Sequence, residues 1–247
     1  MTRTELSEDG AVLLATLTAP GRGLATAVAR NRLLTALLAA TLASILVALV
    51  TVPRIDFTRG AAAAAAAAAG PEAAALTPHQ LEEAELQAAK VGAIGGYAGA
   101  GFGPVLAILG TGLACWLAFK VAGTRPGLKA SLAVSAHALL PLFLARLLTL
   151  PAVLLRAPLA PADLPGLLPS SLAALLPTGS SPVLLAAASS LDLFTAWALV
   201  LLVVGMAQVA GASRRRAAVV MAVLWLAQIA FLKIAPVALA AGMKGGA

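Results

Sequence analysis

Residues 33–52 are twenty in a row without a charge, and at 1.5 Å per helical residue they cover about 30 Å, the thickness of a bilayer's hydrocarbon core. No other feature constrains the fold as much. The composition agrees: 61% of the 247 residues are hydrophobic, 11% are charged and the mean hydropathy is +0.97, whereas soluble domains carry roughly 25% charged side chains. Nucleic-acid binders, disordered tails and secreted disulfide scaffolds are thereby excluded together. Cys115, the one cysteine, cannot form an internal bridge, and its apolar surroundings supply no metal ligand set.

Four more apolar runs follow, at about 94–122, 130–155, 191–210 and 217–241, each bounded by charge, Gly or Pro. A backbone in lipid must satisfy its own hydrogen bonds, which leaves helices or a closed barrel, and these runs are too long and too uniform to be alternating barrel strands. The predicted fold class is all-α, a polytopic membrane bundle of five transmembrane helices with short interfacial helices and no strand. Residues 1–32 read as a cytoplasmic juxtamembrane arm, 33–241 as the five-helix membrane domain and 242–247 as an outer tail. The first run is expected to stay as a helix, because it exceeds the 7 to 15 apolar residues of a signal peptide.

Lys and Arg set the direction of threading. Arg3, Arg22, Arg30 and Arg32, then Lys120, Arg125 and Lys129, then Arg214, Arg215 and Arg216 put ten cations on alternate polar segments. Arg54, Arg59, Lys90, Arg156 and Lys244 put five on the others. The amino terminus is predicted to be cytoplasmic and the carboxyl terminus outside. The formal charge of +7 then reflects orientation and attraction to anionic lipid headgroups at the cytoplasmic face, with no nucleic acid needed. Arg22, Arg30, Arg32 and Arg214 to Arg216 form a predicted inner-face basic patch. Pro20-Gly21 divides the arm, and beyond it Leu24, Ala27 and Val28 share a helical face suited either to lying on the inner leaflet or to serving as a positive flank.

Between the first two spans lies the alanine run 61–69, stopped by Gly70-Pro71. Thr77-Pro78-His79-Gln80 then reads as a helix start, with Thr77 and Gln80 forming a capping box. His79 with Glu82, Glu83 and Glu85 suits a solvated first turn better than a metal site. The second span is rich in glycine, and Gly92/Gly96, Gly95/Gly99 and Gly99/Gly103 are spaced for close helix approach. This face is expected to pack the bundle, or to hold a protein partner or a second copy of the chain. Six prolines between 156 and 190 exclude a long helix there.

Ionisable groups inside spans are costly and are functional candidates by default. Arg146 and Lys233 fall at similar depth in the outer third, and Asp192 opens the fourth span near that level. Asp192 can pair with either cation, or it can cap its own helix while the cations reach outward to headgroups. His137, four residues before the kink-forming Pro141, reads as a hydrogen-bonded bundle histidine rather than a proton relay. Gln208 and Gln228 suit bonds between helices. No zinc-binding, nucleophile-elbow or aspartate-pair motif is present, so neither a cofactor nor an enzymatic activity is predicted.

Several motifs recur in a known order: Lys129-Ala-Ser131 through His137 to Pro141 on the third span, Leu191-Asp192-Leu-Phe194-Thr-Ala-Trp197 and Gly205 on the fourth, and the turn Ser213 to Arg216 before Trp225 on the fifth. With Leu76-Thr-Pro78-His-Gln80 and Pro20 upstream, the chain resembles the Yip domain family over nearly its whole length, and its bacterial branch in particular. The resemblance implies a five-helix bundle with a cytoplasmic amino terminus. It also implies a non-enzymatic role, since eukaryotic relatives are adaptors in vesicle traffic that bind prenylated GTPases. This chain departs from them in its short arm and in lacking their Asp-Leu-Tyr-Gly-Pro type of segment, so GTPase binding is not carried over. The Ala, Leu and Arg bias fits a bacterial gene, and the expected location is the bacterial cytoplasmic membrane. Two functional readings follow: a membrane-organising or partner-recruiting adaptor, and alternatively a small-solute or ion transporter built around Arg146, Lys233 and Asp192.

Overall fold

Long apolar runs in lipid have to be helical, and the helices here start and stop where their local chemistry dictates. A computed structural model of the chain describes residues 3–30, 32–61, 77–156, 158–177 and 179–239. The alanine run beyond Ala61, the Gly70-Pro71 stop and the tail 242–247 lie outside the described residues. The α-helices are α1 (Arg3–Thr18), α2 (Pro20–Ala29), α3 (Leu33–Thr51), α4 (Pro78–Val121), α5 (Leu128–Ala138), α6 (Leu140–Leu148), α7 (Leu150–Arg156), α8 (Pro182–Ala188), α9 (Leu193–Ala210) and α10 (Arg214–Ile229). Among the described residues there is no β-strand, only two isolated bridges, Ile55 with Leu159 and Ser171 with Asp192. Five stretches are long and apolar enough to cross a bilayer: Leu33–Arg54, Pro78–Val121, Leu128–Arg156, Leu193–Ala210 and Arg214–Leu239. Leu34, Leu42, Phe102, Leu106 and Phe231 on them are exposed, an apolar surface of a kind that soluble proteins avoid and lipid accommodates.

The reciprocal capping box at the start of α4 is formed. Gln80 Oε1 accepts from the Thr77 amide at 2.8 Å and its hydroxyl at 3.1 Å, while the Gln80 amide donates to Thr77 Oγ1 at 3.3 Å. From there α4 runs 44 residues without interruption, so the polar first turns and the glycine-rich span are one helix. The third crossing is jointed instead. Pro141 and Pro151 have no N–H to donate to the preceding turn, and the rod breaks at Leu139 and Thr149 into α5, α6 and α7. At the second joint the Arg146 carbonyl accepts from both the Thr149 hydroxyl at 2.7 Å and the Thr149 amide at 3.2 Å, a tight turn in place of the regular helical bond. The fifth crossing widens into a π-helical turn, Ala230–Ile234, just before Pro236. Among its described residues the proline-rich segment forms 3₁₀ turns at Pro161–Gly166 and Leu172–Leu175 and the short α8.

The chain divides into two compact units, one drawn from Met1–Ala40, Val105–Ala145 and Pro169–Ala247, the other from Thr41–Pro104 and Arg146–Leu168. In the first, Leu24, Cys115, Phe119, Val134, Leu201, Met206 and Met221 form one apolar cluster, and Ala36, Ala40, Ile108, Ala136, Leu139, Phe143 and Ala198 form another. In the second, Ala48, Val52 and Ala100 pack with Phe57, and Val153, Leu159 and Leu167 pack with Val50 and Leu164.

The arm differs from the leaflet-lying helix that its amphipathic pattern allows. Leu24 and Ala27 are fully buried, with Leu24 inside the main cluster of the first unit, so α2 turns its apolar face to protein and not to lipid. The reason is volume: α1, α5 and α9 all pack on α2, and a face that fills a protein core is not available to the leaflet.

Candidate functional site

Two groups of residues were singled out by the sequence, the polar residues within spans and the basic residues at helix ends. Among the described residues of the first unit, no hydrogen bond or ion pair joins Asp192, His137 and Lys233 to one another. Asp192 is the N-cap of α9: Oδ1 accepts from the amides of Phe194 at 2.7 Å and Thr195 at 3.2 Å, and Oδ2 accepts from the Thr195 hydroxyl at 2.9 Å. Of its two predicted roles, the structure shows the capping one. Lys233 sits exposed on the π-helical turn, where a long aliphatic stem can carry its ammonium toward headgroups. His137 is fully buried, and its Nδ1 lies 3.0 Å from the Ala133 carbonyl oxygen, which makes Nδ1 the donor. Its Nε2 meets no hydrogen-bond partner among the described residues. Arg146, exposed on α6, belongs to the second unit.

The glycines of α4 divide by use. A Cβ on Gly92 would collide with the Phe57 ring, and one on Gly96 would come within 2.7 Å of Val52, so these two leave room for side chains of the segment that follows α3. Gly95, Gly99 and Gly103 have nothing within 4 Å. Three close approaches in the first unit were not foreseen. Gly23 faces the backbone of Ala15 and Thr16, Gly112 faces Leu132, and Gly205 meets Val134 and Leu24, joining α9 to α5 and α2. Isolated glycines without a four-residue repeat give little signal for such contacts.

The basic residues do come together at one end of the first unit. Helix α4 ends in a left-handed Gly123 at φ +79°, and the Arg216 guanidinium donates to the Ala122 carbonyl there, a cation at the negative end of a helix dipole. Helix α9 ends likewise at Gly211, φ +60°, from which the chain passes to Ser213, whose hydroxyl accepts from the Arg216 amide at 3.3 Å and starts α10. Gln208 Nε2 donates across to the Gly21 carbonyl of α2 at 3.0 Å. The arm, the turn after α4 and the turn after α9 therefore share an end, as alternate threading requires. Arg22, Arg214, Arg215 and Arg216 are exposed there.

Arg30 and Arg32 are not bare cations. Arg30 Nη1 lies 2.7 Å from Glu8 Oε2, Arg32 Nη2 lies 3.4 Å from the same oxygen, and Arg32 Nη1 pairs with Asp9 Oδ1. Asp9 Oδ2 also accepts from the Thr35 hydroxyl at 3.2 Å. The Arg30–Glu8 pair is half-exposed and is worth at most about 1 kcal/mol. The Arg32–Asp9 pair is covered, and removing one partner of such a pair costs about 3–5 kcal/mol. These acids were missed in the sequence. Their signal was available, because a helical hairpin turning at Pro20 sets Asp9 and Arg32 nearly equidistant from the turn.

The geometry defines a multi-pass α-helical membrane protein with a charged end built from three connected turns. Among the described residues no cluster of three His, Cys, Asp or Glu side chains could hold a metal ion. The chain belongs to the Yip1 domain family, whose family model matches residues 14–235. Comparisons with curated proteins and with solved structures gave no match.

Proposed function

We propose that the protein is a non-enzymatic membrane adaptor that organises the bilayer around it or recruits a partner to it, through the basic end carrying Arg22, Arg214, Arg215 and Arg216. Membership of the Yip1 domain family over residues 14–235 carries this reading, since the relatives that the resemblance brings in are trafficking adaptors. The clustering of exposed arginines beside the arm supports it. In this reading the basic end and the amino terminus are cytoplasmic, by the positive-inside bias, and the membrane is a bacterial cytoplasmic membrane. The binding chemistry is that of guanidinium forks with anionic headgroups or an acidic protein surface. The transport alternative gains nothing from Asp192, whose carboxylate is occupied by its own helix.

Cross-linking and affinity capture from native membranes test the proposal. The Arg214→Gln/Arg215→Gln variant is expected to lose most of the partners and anionic lipid captured with the parent chain. Unchanged capture overturns it, and so does solute or charge flux in proteoliposomes that disappears with Arg146→Ala.

A further inference from the structure

We propose that Arg30 and Arg32 form a binding site for the phosphate group of an anionic lipid headgroup, and that α1 closes this site with Glu8 and Asp9 as built-in competitors. The inference rests on the reading of the basic end as lipid-facing and supplies its regulation.

Arg32 immediately precedes Leu33, the first residue of the first crossing helix. That position sets its guanidinium at headgroup level whichever way the chain threads. A guanidinium fork accepts carboxylate and phosphate oxygens in the same geometry, and here the oxygens come from α1. The cluster is graded. Arg30 and Glu8 are 54% and 49% exposed in their side chains, so this outer pair is wet and exchangeable. Arg32 and Asp9 are 18% and 7% exposed and hold the inner position. A headgroup phosphate can therefore engage Arg30 first and then compete for Arg32, with Asp9 leaving as α1 withdraws.

The tightest remaining tie on α1 lies toward its far end, where the backbone of Ala15 and Thr16 meets Gly23 of α2, so the part that can withdraw is the stretch around Glu8 and Asp9. The buried Thr16 hydroxyl bonds its own helix at Val12, 2.9 Å away, and so does not fasten α1 to a neighbour. Leu14 is 63% exposed. Val12, Leu13 and Leu17 supply its apolar seat. The first turns of a helix at a chain end, held to their neighbours by an ionic lock, belong to the part of a fold where local opening is easiest. The membrane surface also supplies the competing anion at high local density.

The test uses the full chain in symmetric vesicles of phosphatidylcholine alone, or with about a third phosphatidylglycerol, followed by hydrogen exchange and by measurement of the phosphatidylglycerol retained after gentle solubilisation. Symmetric vesicles make the result independent of orientation. Exchange at the α1 amides is expected to rise about tenfold with phosphatidylglycerol while α9 stays protected. Glu8→Gln/Asp9→Asn is expected to open α1 in neutral lipid and to retain more phosphatidylglycerol than the parent, and Arg30→Gln/Arg32→Gln to retain less. Equal α1 exchange of the unmodified chain in the two lipids overturns the proposal, as does lipid retention unchanged by the acid substitutions. If the double acid variant does not fold, Glu8→Gln at the wet outer pair and the lipid comparison on the unmodified chain decide it. Failure here leaves the Arg214/Arg215 capture experiment untouched, because that measurement reads partners and not α1.

Discussion

At the first turn of α9, one carboxylate takes three hydrogen bonds that the apolar helix above it cannot supply. Asp192→Ala leaves two amides and the Thr195 hydroxyl without that acceptor, and should lower stability by about 1 kcal/mol. Thermal unfolding in detergent would show this as a midpoint a few degrees lower. Asp56 makes a comparable local ring: Oδ1 accepts from the Thr58 hydroxyl at 2.6 Å and the Thr58 amide at 3.1 Å, and Oδ2 lies 3.2 Å from Arg59 Nε. The Thr58 hydroxyl is the main influence holding the Asp56 carboxyl below the usual range; partial burial opposes it, and the Thr58 amide and Arg59 add to it. A depressed folded pKa gives stability that is present above the unfolded value, about 3.9, and lost as the pH falls through the folded one. The amides at 58–61 should therefore keep their protection from neutrality to about pH 4 and lose it below, and Asp56→Asn should abolish that acid dependence. Asp192 was legible in the sequence because a cap needs only its own next three residues. Glu8 and Asp9 were overlooked, because their partners lie 22 or more positions away and meet them only if the arm is read as a hairpin turning at Pro20.

For the helices, what mattered was which small residues have something to be small against. The four-residue repeat in α4 weights five glycines alike, yet Gly92 and Gly96 lie against Phe57 and Val52 while Gly95, Gly99 and Gly103 face open space. Gly205, which has no repeat around it, sits where α9 meets α5 and α2, with Leu24 Cδ1 3.3 Å from the place a Cβ would occupy. Gly205→Leu should cost about 1–3 kcal/mol by overpacking, while Gly99→Leu should be close to neutral. Melting the two variants side by side in one detergent checks the contrast. The breaks in the third crossing were partly legible. Pro141 announced a kink, and the joint at Leu139 follows from its missing donor. The second joint at Thr149 comes from Pro151, which the pattern of the apolar run conceals because the flanking leucines continue across it.

Over the whole chain, the fold class was the most legible property, since five apolar runs in a lipid solvent admit little besides five helices. Threading direction is a separate matter that charge counting reaches by statistics, and it can be measured. A membrane-impermeant thiol reagent applied to intact cells should label Thr58→Cys directly and Thr124→Cys only after permeabilisation, with the buried Cys115 silent in both. Labelling of both from one side would end the five-span arrangement. The division of the chain into two units was not legible, because it cuts α3 and α4 midway along continuous apolar sequence.

The jointed third crossing has a mechanical consequence. A continuous helix meets a thinner bilayer by tilting as one piece or by distorting the lipid around it. A rod with joints at Leu139 and Thr149 can instead bend at those points, where its helical hydrogen bonds are already interrupted. The two prolines therefore concentrate any bending of this crossing at Leu139 and Thr149, where an unbroken helix would spread it along its length.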